Sequence, residues 1–162
     1  MRHFPALVCV VAGLWAAPVA AGETDAHHEH RAPHGGTLVV FGDEFAHLEL
    51  SLDPGNGEMT AYVLDGEADR GVPVQQPSLE IDVQPEGGER FALELMPVAN
   101  VLTGETEHDT SQFVGRSERL AGLLRFRGEV RRLEVKGRRF ERVSFRFPEG
   151  NENHEGATEE GS

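Results

Sequence analysis

The chain has 162 residues, with 28 Asp and Glu against 15 Lys and Arg, and a formal net charge of −13 at pH 7. So acidic a surface repels nucleic acid and attracts cations or basic partners, so no nucleic-acid partner is expected. Cys9 is the single cysteine, which excludes disulfide scaffolds and multi-thiolate metal or redox sites.

The first element is an apolar stretch from about Phe4 to Ala17, followed by the small residues Val19 and Ala21 ahead of polar Gly22-Glu23-Thr24-Asp25. This pattern predicts a signal peptide over 1–21, cleaved after Ala21 and carrying Cys9 away with it. The stretch falls short of the roughly 20 apolar residues that a spanning helix needs, so no membrane anchor is expected. Residues 22–33 contain His27, His28, Glu29 and His30 but no Val, Ile, Leu or Phe. Lacking apolar surface to bury, they are expected to form a flexible His-rich tail. A second, acidic tail is expected at 149–162.

Between the tails, residues 34–148 alternate short β-rich runs with turn signals, the spacing of an all-β fold. Thr37 to Phe41 and Phe45 to Leu52, joined by Gly42-Asp43-Glu44, predict a hairpin. In the second run Ala46, Leu48, Leu50 and Leu52 share one face, so His47, Glu49 and Ser51 point away from the main core. After the turn Asp53-Pro54-Gly55-Asn56-Gly57 come predicted strands at Met59 to Leu64, Leu79 to Val83, Phe91 to Met96, Arg131 to Val135 and Phe140 to Phe147. In the last run Val143, Phe145 and Phe147 alternate with Arg142, Ser144 and Arg146, and Phe140 is out of phase. Asn100 to Gln112 reads as a long loop, and Ser117-Glu118-Arg119-Leu120 as the cap and start of one short helix. The expected fold is therefore a single antiparallel β-sandwich-like domain with one short helix, flanked by disordered tails.

Catalytic patterns are missing: there is no Gly-x-Ser-x-Gly elbow, and Gly35-Gly36 leads into a strand instead of a phosphate-holding helix. A non-enzymatic role is expected. Histidine carries the chemical signal, because His27, His28, His30, His34 and His47 all fall in the first third of the chain. Neutral imidazole is the commonest transition-metal ligand near pH 7, and neighbouring carboxylates orient it. His28 and His30 fall on one side of an extended chain. In His34-Gly35-Gly36 the glycines allow a bend and close approach, which would hold His34 at the sheet edge. His34 and His47, with His27, His28 and His30, are the candidate metal ligands, and a thiol-free set favours a divalent transition ion such as zinc or copper. His108, in Glu107-His108-Asp109, reads as a solvated loop residue.

Pro33-His34-Gly35-Gly36, Ala46-His47-Leu48-Glu49 and Ala61-Tyr62-Val63-Leu64-Asp65 resemble small histidine-containing periplasmic proteins associated with bacterial heavy-metal efflux systems. A similar segment appears near the start of some periplasmic adaptor subunits of cation-efflux pumps of the resistance-nodulation-division type. The resemblance is best from Pro33 to about Asp65 and weaker from Ser111 to Phe147. It implies a periplasmic β domain that binds or senses divalent metal through His34 and His47, with an efflux-pump component as a partner. The chain departs from that pattern at Glu67, where a further histidine would be expected. The resulting expectation is a non-catalytic, metal-binding accessory protein of heavy-metal efflux or resistance. The alternative is a metal-independent envelope module that docks through a sheet edge.

Overall fold

The computed structural model describes residues 30–151; the segment 1–21 expected to be a signal peptide and the histidines His27 and His28 lie outside the described residues. Eight antiparallel strands form one sheet: β1 (Thr37–Phe41), β2 (Ala46–Asp53), β3 (Glu58–Leu64), β4 (Leu79–Pro85), β5 (Phe91–Pro97), β6 (Gln112–Arg116), β7 (Phe126–Val135) and β8 (Arg138–Phe147). Their spatial order is β1-β2-β3-β6-β5-β4-β7-β8, so the sheet curls until its first and last strands approach. The domain is all-β and antiparallel as expected, with one short 3₁₀ helix (Glu118–Leu120) capped by the Ser117 hydroxyl.

Alternation builds the interior. Val39 and Phe41 of β1, Leu48 and Leu50 of β2, Met59, Ala61 and Val63 of β3, and Leu79, Ile81 and Val83 of β4 all point inward and are buried. Each large side chain so placed contributes on the order of 1.5–3 kcal/mol relative to exposure.

Two strand boundaries need correction. Gln112–Arg116, expected to lie between a loop and the helix cap, is a central strand between β3 and β5, with Phe113 fully buried. β7 starts at Phe126, five residues before its expected start at Arg131. Its inward residues are Phe126, Gly128 and Val130, then Leu133 and Val135, so the phase changes at Arg131–Arg132. β8 changes phase on the facing rung, where Arg142 takes φ 56°, and this brings the out-of-phase Phe140 back against Phe41 and Phe45.

Closure between β1 and β8 uses the segment after β8. Thr37 Oγ1 donates to the Pro148 carbonyl at 3.0 Å. The Asn151 side chain takes both backbone groups of Val40: its Oδ1 accepts from the Val40 N–H at 2.7 Å, and its Nδ2 donates to the Val40 carbonyl at 3.1 Å. The tail expected from 149 thus begins with three residues that belong to the domain. At the other end, His30, expected in the flexible tail, sets its ring against His47 on the outer face of β2.

Candidate metal centre

His47 and Glu49 belong to the outer face of β2, opposite Leu48 and Leu50, as their spacing requires. Their cross-strand partners are Val40 and Leu38 on β1, and Leu64 and Tyr62 on β3. The structure adds what alternation cannot report: both side chains are completely buried, because the arm formed by residues 30–36 covers them.

A buried carboxylate must be satisfied by donors, and Glu49 has three. Its Oε1 accepts from the His34 and Gly36 backbone N–H groups, both at 2.8 Å, and its Oε2 faces His34 Nδ1 at 2.8 Å. The two glycines make this approach possible. Gly35 takes φ 73°, and a Cβ on Gly36 would stand 2.6 Å from the Leu50 carbonyl oxygen and 2.9 Å from Glu49 Cγ. The His34 ring stacks on Tyr62 with centroids 3.8 Å apart and planes 12° apart. Burial, and then the Glu49 charge, push the Tyr62 hydroxyl pKa above its ordinary value.

Tautomers follow from these partners. A carboxylate can only accept, so His34 Nδ1 carries the hydrogen and its Nε2 is the basic position. His47 Nδ1 lies 3.0 Å from the Asp65 backbone carbonyl, which likewise only accepts. His47 is therefore the Nδ1–H tautomer, with its lone pair on Nε2. That Nε2 is buried and makes no hydrogen bond.

The ring beside it belongs to His30, with centroids 4.8 Å apart and planes at 57°. The His30 side chain is 6% exposed; its Nε2 is also buried without a hydrogen-bond partner, and Glu44 Oε1 stands 3.6 Å away. Leaving a buried polar atom unpaired costs about 1–3 kcal/mol, so one such atom on each of two neighbouring rings needs a chemical reason. The Asp65 loop fixes the carbonyl that orients His47: Asp65 Oδ1 accepts from the Asp69 and Arg70 N–H groups at 3.0 and 3.3 Å. Partial burial raises the Asp65 carboxyl pKa, but those two N–H groups and the charges of Arg70 and Lys136 outweigh it and hold the carboxyl below its usual range.

Of the candidate ligands, His30 and His47 are brought into contact, and His34 is held alongside by Glu49 and Tyr62. Glu67, where the resemblance leads one to expect a further histidine, is exposed in the loop after β3. His108 lies on an exposed turn, its N–H 3.3 Å from Thr106 Oγ1. Glu49, the Asp65 carbonyl and Glu44 were not among the candidates; the His47-x-Glu49 spacing was the signal that could have flagged Glu49. Among the described residues, no three or more His, Cys, Asp or Glu side chains are grouped as a ready-made metal cage. An open groove of about 970 Å³ lies elsewhere, on the β4, β7 and β8 side, with no histidine among its lining residues. No protein family, no curated protein and no solved structure matches the chain.

Proposed function

We propose that this chain is a non-catalytic periplasmic protein that binds a divalent transition ion, zinc or copper, as an accessory to heavy-metal efflux or resistance. The observation that carries the reading is the pair of buried, unpartnered Nε2 atoms on His30 and His47. In His47 the Nδ1 hydrogen bond leaves the lone pair on the atom that lacks a partner, which is the protonation state a metal requires. His34 has the same form through Glu49, a carboxylate–imidazole pair of the kind that orients metal-bound histidine. An ion between His30 and His47 would take up the His47 lone pair and a ring nitrogen of His30 freed of its hydrogen, and would complete its coordination with water or a neighbouring carboxylate such as Glu44.

The test is calorimetric titration of untagged protein with Zn²⁺ and Cu²⁺. Binding tighter than about 10⁻⁴ M is expected, weakened at least about 10-fold by His30→Ala or His47→Ala. Binding that ignores both substitutions overturns the reading.

The edge-docking alternative has lost its natural edge at Val40, because Asn151 already takes both backbone groups there. It keeps one foothold. Val101 and Leu102 are 90% and 94% exposed on a turn clamped by Asn100, whose backbone pairs with Glu105 and whose Oδ1 accepts from the Leu102 N–H. Retention of one partner in chelator, lost on Leu102→Ser, would favour that alternative.

A further inference from the structure

We propose that metal occupancy controls whether residues 30–33 of the amino-terminal arm are docked, so that arm closure over β2 reports the bound ion; this rests on the metal-binding reading above. The arm has two parts with different anchors. Residues 34–36 are tied to Glu49 by three hydrogen bonds that need no ion. Residues 30–33 are His-Arg-Ala-Pro, with little apolar surface to drive docking.

What holds His30 is its ring against His47 and the Glu44 carboxylate 3.6 Å from its Nε2. Docking in this form buries the Nε2 atoms of both histidines without partners, a desolvation that opposes closure. An ion shared by the two rings removes that opposition and joins the arm to the sheet. Loss of the ion releases residues 30–33 and uncovers His47, while the Glu49 anchor keeps residues 34–36 in place. The bistable element is the four-residue stretch ahead of His34, and its two states differ in affinity for the ion, which is what a ligand-driven switch needs.

Arg31 supplies the readout, because it is exposed and trypsin cuts after arginine. The full chain, exported from its own leader and carrying no affinity tag, is digested with and without Zn²⁺, and cleavage between Arg31 and Ala32 is timed. Cutting follows the population of the open arm, so Zn²⁺ at about 100-fold above its Kd should slow it by up to about 100-fold. In His47→Ala the ion should leave the rate unchanged. His30→Ala, placed on the arm and away from the barrel interior, gives the same answer if His47→Ala folds poorly. A wild-type rate unaffected by Zn²⁺, while calorimetry records His47-dependent binding, overturns the arm coupling and spares the metal-binding reading. Slowing that persists in both variants overturns the coupling as well. Absence of Zn²⁺ binding removes both.

Discussion

Replacing His47 by leucine separates a ligand from a structural histidine, because the two roles predict opposite patterns of stability. Without metal, His47 contributes one hydrogen bond, Nδ1–H to the Asp65 carbonyl at 3.0 Å, and carries one buried unpartnered nitrogen. The bond is worth about 0.5–1.5 kcal/mol, and the unpaired atom costs about 1–3 kcal/mol. Leucine removes both, while the Asp65 carbonyl keeps the Ala68 backbone N–H as a donor at 3.1 Å. The two terms oppose each other, so the metal-free variant should be as stable as wild type or more stable by about 1 kcal/mol. With Zn²⁺ at about 100-fold above Kd, wild type should gain about 2.7 kcal/mol and the variant nothing. Leu48→Ala, on the opposite face of the same strand, should show the reverse: a loss of about 2–5 kcal/mol with the metal increment retained. Urea unfolding of the three proteins, with and without Zn²⁺, reads both quantities. The reasoning fails if His47→Leu costs as much as Leu48→Ala in the absence of metal, or if it keeps the zinc increment.

Glu49→Gln turns a buried acceptor of three donors into a group whose amide hydrogens face one of them, and a loss of about 1.5–3 kcal/mol in urea unfolding is expected. Gly36→Ala drives a Cβ to 2.6 Å from the Leu50 carbonyl oxygen; it should destabilise by about 1–3 kcal/mol and speed exchange of the His34 amide. Asp82 is held below the ordinary carboxylate range chiefly by its hydrogen bond from Arg131, against some burial and with the charges of Arg131 and Arg90 assisting. A depressed folded-state pKa stabilises at pH values above the unfolded value, near 4, and the contribution is lost as pH falls through the lower folded value. Because this pair borders solvent, Asp82→Asn should cost no more than about 1 kcal/mol at pH 7, and the difference in urea midpoint should shrink as pH drops below about 4.

Strands whose residues alternate cleanly, such as β2 and β3, were legible because one apolar and one polar face produce a period of two. The first half of β7 was not, because Gly128 occupies an inward position without an apolar side chain. The misfit of Phe140 was visible in the sequence; its cause, a phase change shared by two paired strands at Arg131 and Arg142, needs both strands to be seen together. At the site, the outward direction of His47 and Glu49 followed from alternation, whereas their burial did not. Their cover is a stretch without Val, Ile, Leu or Phe that is held by hydrogen bonds to Glu49, and hydrophobic patterning is blind to a segment that docks through polar contacts. For the same reason His30 read as part of a tail and His34 as the companion of His47, while in the structure His30 makes that contact.

Asn151 imitates, with one side-chain amide, the pair of bonds that another strand would offer Val40. A barrel fastened this way can be unbuttoned at its seam without disturbing any ladder. A protease nick or fusion junction placed just ahead of this residue would leave the Val40 N–H and carbonyl seeking a substitute, and the nearest supply is the exposed backbone of another molecule. Where a reporter is attached at this end of the domain therefore decides whether the Val40 groups are met from within the molecule or from a second one.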